Sequence, residues 1–136
     1  MNWDLRPLQE EEVATSLILE RRVLGLPSPT EAQIADLKRE RESERTISAW
    51  DRGQLVASAV SFALPLTVPG PVVTTAVGIT AAVVRPTHRR QGLLTAILRR
   101  QLEDSYRREE AVAILGASEG SIYGRFGFGV ATYEAE

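Results

Sequence analysis

From Gly53 to Val84 the chain carries no Asp, Glu, Lys, Arg or His. An uncharged run of that length either spans a membrane or fills the centre of a folded domain. Pro65, Pro69, Gly70 and Pro71 interrupt it, and Ser and Thr are scattered through it, so a spanning helix is the poorer description. It reads instead as two buried strands and their connection. The first, Leu55–Leu64, sets Val56, Val60, Phe62 and Leu64 on one face and Leu55, Ala57, Ala59 and Ala63 on the other, as expected of a strand covered on both sides. Pro69-Gly70 has the residues of a type II turn and leads into Val72–Val84, rich in Val, Thr and Ala. Upstream, Thr46–Trp50 is joined to Leu55 by Asp51-Arg52-Gly53-Gln54, a hairpin signal. The three strands form a meander at the centre of a sheet.

Other elements follow from period and punctuation. Asn2–Leu8 suits a short edge strand closed by Pro7. Glu10, Glu11 and Glu12 open a helix carried by Val13, Leu17, Ile18 and Leu24, with Arg21 and Arg22 near its end, charged as the helix dipole favours. Thr30 with Gln33 is a capping box that predicts a second helix running to about Glu42. From Gln91 to Arg108, Leu94, Leu98, Leu102 and Tyr106 recur every four residues, and the other face offers Arg99–Glu103, Arg100–Asp104, Glu103–Arg107 and Asp104–Arg108 pairs, each worth roughly 0.2–0.5 kcal/mol. Val112–Ala117 is a short apolar strand. Val72–Ala117 therefore reads strand, helix, strand, a crossover that makes its two strands parallel and places a ligand crevice at the carboxyl end of the first. Ser118–Phe128 is punctuated by glycine and has room for one short helix, and Val130–Tyr133 begins a last strand. The fold class is α/β (α+β): a mixed, mainly antiparallel sheet with one parallel crossover and flanking helices.

Composition closes off several chemistries. Sixteen basic against eighteen acidic residues give a net charge of −2, which is not the balance of a phosphate-backbone binder, so nucleic acid is not an expected partner. The absence of cysteine removes disulfides, thiolate metal sites and a cysteine nucleophile, and a single histidine argues against a histidine zinc site. Met1-Asn2-Trp3-Asp4 has no basic and apolar leader pattern, which predicts a cytoplasmic protein. The 136 residues allow one domain.

The informative anomaly is the start of the long helix. Arg85, His88, Arg89 and Arg90 crowd the turn before Gly92, where positive charge opposes the helix dipole by roughly 0.3–1 kcal/mol per charge. An anion would relieve the conflict, because helix-start amides, a glycine that admits close approach and flanking guanidinium groups together form a phosphate cradle. An isolated Arg-Arg pair would more often simply face solvent; this pair follows a strand and opens a crossover helix. No G-x-x-x-x-G-K-[ST] exists, since Lys38 is the only lysine, and no G-x-G-x-x-G stands at the strand-to-helix junction. Neither ATP nor NAD is supported.

Arg89-Arg90-Gln91-Gly92-Leu93-Leu94 resembles the acetyl-coenzyme A pyrophosphate loop of the GNAT superfamily of N-acetyltransferases, loosely [RQ]-x-x-G-x-[GA], with Leu94 in place of the final small residue. The longer stretches Val84–Leu94 and Ala117–Gly129, with the Pro65–Pro71 connection, are similar to the N-terminal acetyltransferase domain of the enhanced intracellular survival family. The likeness covers essentially the whole chain. It implies a GNAT fold in which Ala82, Val83 and Val84 offer backbone groups to the pantetheine arm and Arg89, Arg90, Gln91, Gly92, Leu93, Leu94 and Thr95 hold the pyrophosphate. Ser118 and Glu119 would flank the thioester, and Tyr123 would be the general acid. A phenol of pKa about 10 is suited to protonate a departing thiolate whose conjugate acid has a pKa of about 8.5, for a gain of roughly 10²- to 10⁴-fold.

The bland alternatives are a packed aromatic for Tyr123 and a dipole-stabilised acid for Glu119; His88, beside two arginines, reads as a positioning residue. Members of that family are about three times longer and draw their base from a terminal carboxylate in a further domain, so the present chain is expected to be a single GNAT-type domain, truncated at its C-terminal end. The expected activity is acetyl transfer from acetyl-CoA, as co-substrate, to a primary amine by direct attack, with no metal and no acetyl-enzyme. Family analogy suggests a homo-oligomer. Two other readings remain: a coenzyme A-binding module without turnover, and an anion-binding interaction domain that uses the arginine loop.

Overall fold

The computed structural model describes residues 3–117 and 120–133. Strands β1 (Asp4–Pro7), β2 (Thr46–Asp51), β3 (Gln54–Val68), β4 (Val72–Val84) and β5 (Val112–Leu115) form one sheet in chain order. Every neighbouring pair is antiparallel except β4 with β5, which is parallel across the crossover helix α3 (Leu93–Arg107). Helices α1 (Val13–Val23) and α2 (Glu31–Glu40) lie between β1 and β2 in the chain. Among the described residues no helix is long and apolar enough to cross a membrane. The uncharged run is β3, β4 and their connection, as the interruptions predict.

The hairpin after β2 turns on Arg52 (φ 53°) and Gly53 (φ 79°), and two successive positive φ values match the right-handed twist of the flanking strands. β3 runs past Pro65, beyond the Leu64 end expected from its residues. Pro65 is register partner to Thr75, and the Thr75 carbonyl accepts from the Ala111 amide on the β5 side (3.0 Å). By antiparallel alternation Pro65 then turns its nitrogen away from β4. β2 stops pairing with β3 at Val60, so no ladder bond is lost.

α3 covers one face of the sheet. Leu93 and Ile97 pack with Ile47, Ala49, Ala57 and Ala59, and Leu98 packs with Val77 and Ile79. Its buried stripe is Leu93, Ile97, Leu98, Gln101 and Ser105, while Tyr106 is 86% exposed. The expected row of every fourth residue fails at its end because each step of four advances about 40° around a helix of 3.6 residues per turn. On the polar face Asp104 takes Arg100 at 3.2 Å and Arg107 at 3.4 Å. On the other side of the sheet, Leu19 of α1 packs with Leu55 and Val83. The Thr30–Gln33 capping box of α2 is present in both directions (2.9 and 3.1 Å), and Arg41 at its end holds Glu20 of α1 with two bonds (2.7 and 2.9 Å). The expected first helix is divided into a 3-10 turn (Glu10–Glu12) and α1. The expected last strand is not formed: Val130–Tyr133 carries no regular structure, and Val130 and Tyr133 are 73% and 87% exposed.

Arg6 on β1 grips Glu12 with two bonds (2.7 and 2.8 Å) and lies 4.5 Å from the Trp50 ring centroid. The guanidinium bond holds the Glu12 carboxyl below its ordinary value of 4.5. A lowered carboxyl contributes stability that is fully present above its unfolded value and is lost as pH falls through its folded value. Stability to urea should therefore fall less steeply below pH 4.5 in Glu12→Gln than in the parent, and parallel curves would contradict the pairing.

Gly78 lies under two side chains. A Cβ there would sit 2.7 Å from Phe62 Cε2 and 2.8 Å from Leu64 Cδ2. Gly78→Ala should cost roughly 1–3 kcal/mol by urea unfolding, and less when made in a Phe62→Ala background. Equal losses in both backgrounds would show that the ring does not set the limit.

Candidate functional site

β4 and β5 run side by side only from Ala76–Val112 to Ile79–Leu115. β5 then ends, while β4 continues to Val84 with no strand of the described residues against that edge. Five residue steps from Ile79 to Val84 make roughly 16 Å of open strand. A bulge lies in the same stretch. Ser58 pairs with Val83 and Val60 with Thr80, so Ala59 alone faces both Ala81 and Ala82. Ala81 takes the extra turn with φ 50°, a left-handed conformation that costs an alanine roughly 1–2 kcal/mol. The bulge raises the local twist of β4 at the point where β5 leaves it.

A cavity of about 330 Å³ opens at the parting, lined by Phe62 and Leu64 of β3, Gly78 and Thr80 of β4, and Ile114 and Gly116 at β5. Ile79 and Leu115 line it too and belong to the apolar cluster against which Tyr123 packs. Tyr123, half-buried in the 3-10 segment Gly120–Phe126, meets Phe128 edge to face with centroids 6.3 Å apart. The expected short helix is this segment. Ser118 and Glu119 lie outside the described residues.

At the far end of the open edge stands the arginine loop. Val83 is buried with Leu19 and Leu55, whereas Ala82 and Val84 pack toward the Leu93–Ile97 cluster. These side chains fix the strand and leave its edge to the crevice. Arg85 is bound to β3, its backbone amide to the Val56 carbonyl and its Nε to the Leu55 carbonyl, both at 2.8 Å. A 3-10 turn, Pro86–His88, follows. Arg90 (φ 62°) and Gly92 (φ 83°) then adopt left-handed conformations, and the left-handed Gly92 followed by helical Leu93 is a pair that turns successive amides toward one concavity. Gly92 is the N-cap of α3 and brings no side-chain hydrogen bond. Among the described residues no side chain caps the α3 amides up to Thr95, and the Ala96 amide closes the first bond of the helix on the Gly92 carbonyl (3.0 Å).

Leu93 is 2% exposed, and Leu94 packs against Val77, Ile79 and Leu98, where the family pattern has a small residue. Two leucines anchored in the core hold the helix start at the crevice. Arg89, Arg90 and Gln91 are exposed. Among the described residues Arg89 and Arg90 have no ion-pair partner, although Arg6, Arg41 and Arg45 each do. A helix N-terminus, a concave turn and two uncommitted guanidinium groups are the chemistry of a phosphate or diphosphate site.

The structure thus sets Ala82–Val84 and Arg89–Thr95 in succession along and beyond the open edge of β4, while Tyr123 packs on the cluster that holds Ile79, Leu94 and Leu115 and is not itself part of the cavity lining. Sequence reasoning missed three parts of the site. The cavity lining had one signal, Gly78, since an isolated glycine inside a strand marks a bulge or a close approach. The bulge at Ala81 had none, because alanine does not favour positive φ. The third is Asp51, whose carboxylate lies 2.9 Å from His88 Nε2; it could be found only by knowing that the β2–β3 hairpin folds back to the loop.

Residues 4–131 match the acetyltransferase (GNAT) domain family. An uncharacterized N-acetyltransferase of Streptomyces coelicolor is 41% identical over 141 residues, covering 98% of this chain and 33% of that protein. N-acetyltransferase Eis of Mycobacterium tuberculosis is 50% identical over 82 residues, 58% of this chain and 20% of that one. The chain spans a third or less of the length of these relatives. The crystal structure of Eis1 from Mycobacterium abscessus superposes with a TM-score of 0.83 at 38% identity, over 96% of this chain and 32% of that one. A predicted acetyltransferase from Clostridium acetobutylicum, solved with acetyl-CoA, shares the fold over 99% of this chain and 95% of its own, at a TM-score of 0.81 and 17% identity. With its five-stranded mixed sheet and single parallel crossover, the chain belongs to the GNAT acetyltransferases.

Proposed function

We propose that this chain transfers an acetyl group from acetyl-CoA to a primary amine by direct attack in the β4–β5 crevice. One observation carries the reading: an uncapped helix start with two uncommitted arginines stands at one end of an open strand edge, and a cavity stands at the other. A diphosphate on the loop, an extended amide-bearing arm along Ala82–Val84 and an acyl group at the cavity fit that order. The loop supplies charge-assisted bonds from Arg89 and Arg90 and amide donors from Gly92 to Thr95. The open edge of β4 supplies backbone groups to the arm. When bound, the thioester supplies an activated acyl carbon.

Attack needs a neutral amine. An alkylamine of pKa about 10.4 is neutral about once in 2,500 molecules at pH 7, a cost of about 4–5 kcal/mol that a base must offset. As the carbon–nitrogen bond forms and the carbon–sulfur bond breaks, the Tyr123 hydroxyl gives its proton to the departing sulfur, and the phenolate is reprotonated through solvent by the proton that the attacking nitrogen sheds as it becomes the neutral amide. Glu119 and Ser118 are assigned to the thioester end. The acceptor class is a polyamine-like compound, an aminoglycoside or a lysine side chain, and a net charge of −2 is compatible with any of these cations. A second reading has an observation behind it. The described lining of the cavity is carbon apart from the Thr80 hydroxyl and backbone groups, with no carboxylate to serve as base, which favours a coenzyme A-binding module without turnover.

Free-thiol release with a panel of amines separates the two: release establishes the transferase, and tight binding without release establishes the module. Tyr123→Phe should lower kcat about 10²-fold or more and leave acetyl-CoA affinity unchanged; loss of both together would make the tyrosine structural. Arg89→Ala with Arg90→Ala should weaken coenzyme A binding by about 2–4 kcal/mol through the removal of two charge-assisted hydrogen bonds, and unchanged binding would sink the loop assignment.

A further inference from the structure

We infer that Asp51 and His88 form a brace that sets the position of the arginine loop, and with it the affinity for the nucleotide diphosphate end of acetyl-CoA. The inference rests on the assignment of the loop proposed above. His88 closes the 3-10 turn two residues before Arg90, and Asp51 ends β2 at the tip of the hairpin. His88 Nε2 lies 2.9 Å from Asp51 Oδ2, and Nδ1 lies 2.7 Å from Thr87 Oγ1. Both ring nitrogens are engaged, so the plane of the ring is fixed. Trp3 closes the third side, its ring edge-on to the imidazole at 5.8 Å.

The loop is therefore tied twice to one rigid hairpin. Arg85 binds the start of β3 through the Leu55 and Val56 carbonyls, and His88 binds the end of β2 through Asp51. The Arg52–Gly53 turn joins the two attachment points. Beyond His88, among the described residues, Arg89 to Gly92 has only its own left-handed turns and the start of α3 to place it. Releasing His88 would free the residues that carry the guanidinium groups and leave the helix amides where they are.

Asp51 is otherwise hard to account for. A carboxylate beside an anion site opposes the anion, and this one is offset by a bond to the ring that orients the loop. The same engagement argues against His88 as the base for the acceptor amine. Both of its nitrogens are occupied by protein groups, and it follows the loop end of β4, whereas the cavity lies at Thr80.

The test compares acetyl-CoA with acetyl-pantetheine, a thioester that lacks the nucleotide and its diphosphate. Asp51→Ala and His88→Ala should each raise KM for acetyl-CoA about tenfold, equivalent to roughly 1.4 kcal/mol. KM for acetyl-pantetheine and kcat with either donor should stay within about twofold. The double variant should be no worse than either single one, because both remove one link, and His88→Gln, which keeps a donor toward Asp51, should recover part of the loss. Equal rises for the two donors would mean a structural role and overturn the brace. So would an unchanged KM in the Asp51 and His88 variants when the Arg89→Ala, Arg90→Ala protein shows a raised one. If the arginine variant is itself unchanged, the assignment of the loop fails and the brace with it. Calorimetric titration with coenzyme A and with pantetheine reads the same difference without turnover.

Discussion

The parting of β4 from β5 is the constraint on which the remainder of the site depends. Parallel strands at about 4.8 Å leave no room between them for a ligand, and β4 keeps a partner on its β5 side only as far as Ile79. Three features hold the gap open. β5 is four residues long, the extra residue at Ala81 twists β4 where its neighbour ends, and α3 binds the sheet at the same level. Gln101, 2% exposed, donates from Nε2 to the Ala59 carbonyl at 2.7 Å, directly opposite the bulge. A polar side chain in the apolar face of a helix is costly unless bonded, and of the Gln101 amide only Nε2 is bonded among the described residues, Oε1 being buried without a partner. Here its bond joins α3 to the strand position that faces two residues of β4.

Arg89 and Arg90 differ from other surface arginines unpaired among the described residues, such as Arg22 and Arg99, in standing at the N-terminus of a helix. Arg45 and Glu110 are buried together, 2.8 Å apart with side chains 7% and 2% exposed, and fasten the start of β2 to the turn before β5. Arg41 with Glu20 joins α2 to α1, and Arg6 with Glu12 joins β1 to the turn before α1. Each of these arginines serves the scaffold. Arg89 and Arg90 stand apart from them, exposed at a helix terminus whose dipole opposes their charge. Such an arrangement lowers stability in the absence of an anion and contributes affinity in its presence.

Much of this was legible in the sequence because it rests on local signals. The hairpin, the capping box of α2, the crossover and the placing of Arg89 and Arg90 at the start of α3 all follow from spacing and turn residues. Features that depend on neighbouring strands were not legible. Pro65 continues a strand because β2 has already ended beside it, and nothing near Pro65 in the chain says so. Tyr106 leaves the buried stripe because a row of every fourth residue turns away from the sheet. Ala81 and Ala82 carry no mark of a bulge, and Asp51 meets His88 across thirty-seven positions. Val130–Tyr133 has the residues of a strand without forming one, which shows how little a four-residue apolar run determines by itself.

The most direct measurement is a calorimetric titration of this chain with acetyl-CoA at low and at raised salt. The account predicts saturable binding at one site, displaced by coenzyme A, with an affinity that falls as ionic strength rises, because the loop holds its ligand through exposed charges. No heat of binding, or binding indifferent to salt and to competing coenzyme A, would contradict the placement of the coenzyme in the β4–β5 crevice.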